Sequence, residues 1–422
     1  MRQFSAGISG IAATGSVYSV GMYQLLTADA LVLNQPVPVN IWDPKGVLLL
    51  RKGEVIASER HRDQIMLHSP GVLASDWQSV SYGYTRTLDR LVRNNQSLSE
   101  IAKVAALAVG PGTQASSEQM AVTEQWADLH ATLGNLLHQG AGASHFLERL
   151  QKVQDSLVPL WSQQPDNSLL VLVQLLFDRN LSYSTTHALL TAGLCHLVAA
   201  QAGLPQADCR CLLSAALTMN VGMTRLHDEL ARQGTALTAV QRRLVREHPE
   251  RSVAVLRAVG VNDTAWLRLV LQHHERGDGT GYPAGVTTVG ADHRLLQLAD
   301  IYVACISPRE ARGPLPAQEV ARQLYLGFGS TPDRLGTLFV KSVGFFPPGS
   351  YVRLANGEQA VVVRRGQKAN APRVMVLTGR HGLPLGEPVL RDCSEPTWAV
   401  QSSLPPGEVK VTLNIERLLA RC

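Results

Sequence analysis

At 422 residues, with 45% hydrophobic and 17% charged side chains, the chain is long for one domain and too apolar to stay disordered. Its formal charge of +5 suits a small anionic ligand and excludes a polybasic nucleic-acid binder. The longest strongly apolar run, 169–177, is too short to span a bilayer.

Taken in order, residues 1–20 are rich in Gly, Ser and Ala and read as a flexible leader, with no compact apolar segment of the secretory kind. The six cysteines show no ligand-like spacing and no disulfide framework, so a cytoplasmic setting is expected. Residues 21–100 read as a small β-rich module. Val37–Trp42 alternates, Asp43-Pro44-Lys45-Gly46 and Lys52-Gly53 carry turn chemistry, and Ser58–Met66 and Thr85–Val92 carry a helical pattern.

Residues 101–164 read as a linker, Ala105–Ser117, followed by a connecting helix. Its stripe of Trp126, Leu129, Leu133, Leu136 and Leu137 is a connecting surface or the face of a homodimer. Helical pattern dominates 165–346. The expected helices are 183–200, 206–220, a capping-box helix opening at Thr238 and running through His248, a further turn from Pro249 to Gly260, and 289–306. From 347 to 422 the period returns to two. A hairpin turns at Asn356-Gly357, a strand follows at 373–377, another is expected at 408–413, and a short helical end at 416–421.

The densest chemistry lies in His273-His274-Glu275-Arg276-Gly277-Asp278-Gly279-Thr280-Gly281-Tyr282-Pro283. Two imidazoles leave an apolar helix beside a glycine-rich loop. The helix fixes ligand geometry while the loop lets backbone approach a phosphate or a partner.

This stretch resembles the HHExxDGxGYP signature of the HD-GYP family and matches each of its specified positions. The resemblance spans about 165–350. It implies an all-α HD-type helical core between the β-rich N-terminal module and the short β C-terminal segment. It also implies a two- or three-metal site (Fe, Mn or Zn) that linearises cyclic di-GMP to pGpG or GMP.

Carried over position by position, the resemblance makes His187, His248, His273, His274 and Asp300 metal ligands. The His-Asp pair that names the fold is missing. Met219 and Asn220 stand in its place, and Met223 stands where the family has lysine. A thioether is a poor ligand for hard metals, and a neutral amide cannot bridge two cations as a carboxylate does. His227-Asp228 is an intact His-Asp pair further along the chain and reads as a decoy. Tyr183 replaces an acidic residue used by three-metal members, and Val303 replaces another acidic residue. His130, His138, His145 and His196 read as ordinary hydrogen-bonded histidines.

Arg309 and Arg312 keep the spacing of a family element that contacts dinucleotide phosphate, a role guanidinium forks suit. Gly281, Tyr282 and Pro283 are implied to dock GGDEF-domain partners, with Tyr282 an exposed anchor. The sequence therefore points to a cyclic di-GMP signalling protein whose catalysis is degenerate. The alternative is an active phosphodiesterase with a rearranged site.

Overall fold

The computed structural model describes residues 23–26, 31, 33–34, 36–37, 39–43, 48–68, 70–73, 121–310, 313–326, 333–411 and 413–421. The expected leader, the 85–92 helix, the 105–117 linker, most of the Asp43–Gly46 turn, and Arg312 lie outside them. The chain divides into two units, 1–118 and 119–422.

In the first unit β1 (Tyr23–Leu25), β2 (Ile41–Trp42), β3 (Leu48–Leu50) and β4 (Gly71–Leu73) form an antiparallel sheet in the order β1-β4-β2-β3. Helix α1 (Glu59–Met66) opens where the Ser58 hydroxyl accepts from the His61 N–H. It contributes Ile65 to a small core with Leu31, Ile41, Leu50, Ile56 and Val72.

The second unit is helical first and β afterwards. Its helices are α2 (Val122–Gln139), α3 (Phe146–Gln163), α4 (Pro165–Phe177), α5 (Tyr183–Ala199), α6 (Gln206–Thr218), α7 (Thr224–Arg232), α8 (Ala239–Ala258), α9 (Thr264–Gln272), α10 (Ala291–Ile306), α11 (Ala317–Tyr325) and α12 (Arg334–Val343). The stripe on α2 is neither a linker surface nor a dimer face. Trp126, Leu133 and Leu136 are fully buried in this unit's own core, where Trp126 meets Trp161 of α3 edge to face at 6.1 Å.

Helix α4 is apolar nearly all round because it packs on two sides. Leu169 and Leu172 join the helical core, whereas Leu170 joins Val361 and Val363 of the C-terminal sheet. The Thr238 capping box forms as expected. The helix it opens does not stop at His248, however. It runs unbroken through Pro249 to Ala258.

The C-terminal sheet is antiparallel with the order β8-β7-β6-β5-β9. Its strands are β5 (Tyr351–Leu354), β6 (Gln359–Arg364), β7 (Arg373–Thr378), β8 (Pro384–Asp392) and β9 (Val400–Leu404), and α13 (Ile415–Leu419) follows. Among the described residues of 408–413 the expected strand does not form; residues 406–408 make a 3-10 turn instead. β8 and β9 escape the sequence pattern because both are edge strands, half solvated and with no clean apolar alternation.

Candidate metal centre

Five helices converge on the site. His187 comes from α5, Asn220 from the turn after α6, His248 from α8, and His273 and His274 from the end of α9. Asp300 comes from α10. The structure thus gathers all five carried-over ligands, though not on equal terms.

His248, His273 and His274 offer ligand atoms that lie within 4.8 Å of one another. Two of these rings are oriented by the main chain. Pro249 has no N–H, so the Val245 carbonyl lacks its helical donor, and the His248 Nδ1–H takes that place at 2.5 Å. At the end of α9 the Val270 carbonyl accepts from His273 Nδ1 at 2.7 Å. Both rings therefore turn Nε2 lone pairs toward each other, 3.0 Å apart. Two facing lone pairs repel unless a cation lies between them. Their separation equals the cis edge of an octahedral ion with bonds of about 2.1 Å, about 3.0 Å.

Burial drives the His248 pKa down to about 4 and holds His273 and His274 below the ordinary imidazole range. Neutral rings are what a metal ion requires.

His187 and Asp300 form the other side, with Nε2 to Oδ1 at 2.8 Å. Burial alone raises a carboxyl, yet contact with His187 outweighs it and holds Asp300 below the usual carboxylate range. Tyr183 lies against His187, ring centroids 5.6 Å apart. Its hydroxyl accepts from Arg309 at 2.8 Å and lies 3.4 Å from His187 Nδ1.

The substituted positions have gone different ways. Met219 is fully buried in the apolar core, as is Val303. Asn220 and Met223 line a cavity of about 440 Å³ shared with His187, His274, Asp300 and Arg309. Gly222 lets this turn touch α8, where a Cβ would stand 2.5 Å from the Ser252 nitrogen. Arg309 keeps its Nε buried without a partner among the described residues. Asp228 points away from the cavity. It caps α5 at the Ser184 N–H (2.7 Å) and accepts from His138 at 2.9 Å.

The loop after α9 is clamped by a residue not singled out from the sequence. The carboxylate of Glu275, itself fully buried, accepts from the N–H groups of Ala284, Gly285 and Val286. Gly281 lies so close to the end of α9 that a Cβ would meet the Glu275 Cα at 2.4 Å. Tyr282 is consequently not an exposed anchor. Its ring stacks on His274 at 4.7 Å and 25°, under the guanidinium of Arg246 at 5.3 Å, and walls the cavity. Next to it, Pro283 and Ala284 are exposed.

Residues 170–326 match the HD domain family. Together with the signature at 273–283, this match supports an HD-GYP assignment for the matched residues. Its relatives include cyclic di-GMP phosphodiesterase PA4108 of Pseudomonas aeruginosa, 30% identical over 53% of this chain and 55% of that protein. They also include 3'3'-cGAMP-specific phosphodiesterase 1 of Vibrio cholerae, 25% identical over 36% of each. The response regulator RpfG of Xanthomonas campestris, a cyclic di-GMP phosphodiesterase, is 28% identical over 27% of this chain and 31% of that protein. The chain thus spans about half the length of the first of these and less of the others. Among solved structures, Bd1817, a HDG"Y"P protein from Bdellovibrio bacteriovorus, aligns with a TM-score of 0.44 at 16% identity, over 75% of this chain and 98% of that one. Among the described residues no helix is long and apolar enough to cross a membrane.

Proposed function

We propose that this protein is a cyclic di-GMP signalling component of the HD-GYP type that binds the nucleotide and has lost normal hydrolysis. The carrying observation is the fate of the His-Asp positions, with Met219 withdrawn into the core and a neutral Asn220 facing the cavity. Nothing at those two positions can bridge two cations. Binding is supported by Arg309, whose guanidinium lines a cavity of a size usual for small-molecule sites. A GGDEF-domain partner is the second candidate for recognition, through the exposed Pro283 and Ala284 of the clamped loop.

A specific observation favours the alternative, an active phosphodiesterase with a rearranged centre. The facing Nε2 atoms of His248 and His273 fit a divalent ion, with His274 beside them. Such an ion supplies Lewis acidity and an acidified water. The chain's own part is to hold the rings neutral and oriented, with Asp300 charged among them.

One experiment separates the readings. Protein prepared anaerobically with Fe(II) or Mn(II) is given cyclic di-GMP, and bound nucleotide and products are followed by calorimetry and chromatography. The expected result is binding with the nucleotide recovered intact, and pGpG or GMP appearing only after Met219→His, Asn220→Asp and Met223→Lys are combined. Turnover by the unaltered protein establishes the alternative.

A further inference from the structure

The cavity of about 440 Å³ has histidines, Asn220 and Asp300 in its lining, and apolar residues such as Leu230, Leu237 and Val245. Among the described residues a single lysine or arginine lines it, Arg309, because Met223 stands where the family has lysine. The placing of the Arg309 fork therefore decides how an anion is held there. Guanidinium recognition of phosphate depends on direction as well as on charge.

The main chain on either side of Arg309 is tied down. The Ser307 N–H donates to the Val303 carbonyl at 3.1 Å, and the Glu310 N–H donates to the Ala231 carbonyl of α7 at 3.1 Å. The side chain is held by Tyr183, the first residue of α5, whose hydroxyl accepts from Arg309 Nη2 at 2.8 Å. Arginine offers donors only, so this hydroxyl is the acceptor and keeps its own proton for His187 Nδ1, 3.4 Å away. The Tyr183 ring is itself buried, edge to face with His227 at 4.7 Å and tilted on His187. Such a support is stiff, and it spares an anion the cost of ordering a free arginine.

The carboxylates nearby are engaged elsewhere. Asp300, on the same cavity, accepts from His187 at 2.8 Å, and Glu310 pairs with Arg179. A carboxylate placed where the Tyr183 hydroxyl lies would pair with the guanidinium and cancel its charge, whereas a phenol holds the fork and stays neutral. Tyr183 is not among the residues that line the cavity, so it acts on a ligand through Arg309.

We infer that Tyr183 is a positioning residue for ligand binding, whose hydroxyl sets the Arg309 guanidinium at the cavity in the orientation that takes a ligand phosphate. This rests on the binding reading above, which supplies the ligand. The test titrates cyclic di-GMP by calorimetry into full-length unaltered protein, Tyr183→Phe, Arg309→Ala and the double variant. Tyr183→Phe should weaken binding about 10-fold, the scale of one hydrogen bond to a charged group. Added to Arg309→Ala, it should change affinity by less than about 2-fold, because both act through one guanidinium. The same loss with and without Arg309 marks a merely structural residue and overturns the inference, as does undiminished binding by Tyr183→Phe. Either result leaves the binding reading standing. No binding by the unaltered protein defeats that reading, and crystals then still decide whether Tyr183 places Arg309. The guanidinium should lie at the cavity in the unaltered protein and leave that place in Tyr183→Phe, and an unmoved guanidinium overturns the inference.

Discussion

Pro249 sits inside α8, where its missing N–H strips the Val245 carbonyl of its helical partner, and the His248 imidazole fills the gap. A residue that weakens a helix thereby locks the tautomer and direction of a metal-ready ring. Pro249→Ala restores the N–H, which competes with His248 for the Val245 carbonyl. The variant should gain stability, by up to about 3 kcal/mol, because proline is that costly in a helix interior. It should also bind Co(II) about 10–100-fold more weakly, as expected when a ligand loses its orienting partner. Urea denaturation and competition with a chromophoric chelator check the two halves separately.

At the scale of the element, the loop following α9 owes its course to one buried carboxylate. Glu275 accepts three main-chain N–H groups from 284–286, and the Glu275 carbonyl accepts from Gln297 of α10 at 2.6 Å. This holds Tyr282 on His274 and closes one wall of the cavity. Glu275→Gln removes the charge and leaves an amide group where an acceptor is needed, which should cost about 1–3 kcal/mol. Amide hydrogen exchange should speed up at 284–286 while the interior of α10 stays protected. Unchanged exchange at those three amides would contradict the clamp.

Across the second unit, α2 is joined to α7 and α5 by a polar clasp in which Asp228 accepts from His138 and from the Ser184 N–H. The hydrogen bond to Asp228 raises the His138 pKa above 6.5, and burial opposes it only partly. The sign follows from linkage. A group whose folded pKa is raised contributes stability that is complete below its unfolded value of 6.5 and is lost as pH rises through the folded value. The stability difference between the unaltered protein and His138→Gln should therefore be largest near pH 6 and shrink as the pH is raised above 7. Denaturation curves at stepped pH measure it.

Much of this molecule is written locally. The helical pattern at 58–66, the Thr238 capping box, the Asn356-Gly357 turn and the apolar periods of α5, α6 and α10 are short-range patterns, and each forms where it reads. The resemblance at 273–283 likewise rests on a contiguous run. Other features depended on which surfaces meet. The α2 stripe could face a partner or its own core, and only packing against α3 and α5 chose the core. Edge strands β8 and β9 take their structure from hydrogen bonds to neighbours rather than from their own alternation. Tyr282 looks like a loop tip in sequence, yet the close approach of Gly281 and the Glu275 clamp turn it inward. His227 and Asp228 read as one motif, but a helix sends neighbours to different faces. Only the assembled bundle determines that one of those faces looks onto His187 and the other onto His138.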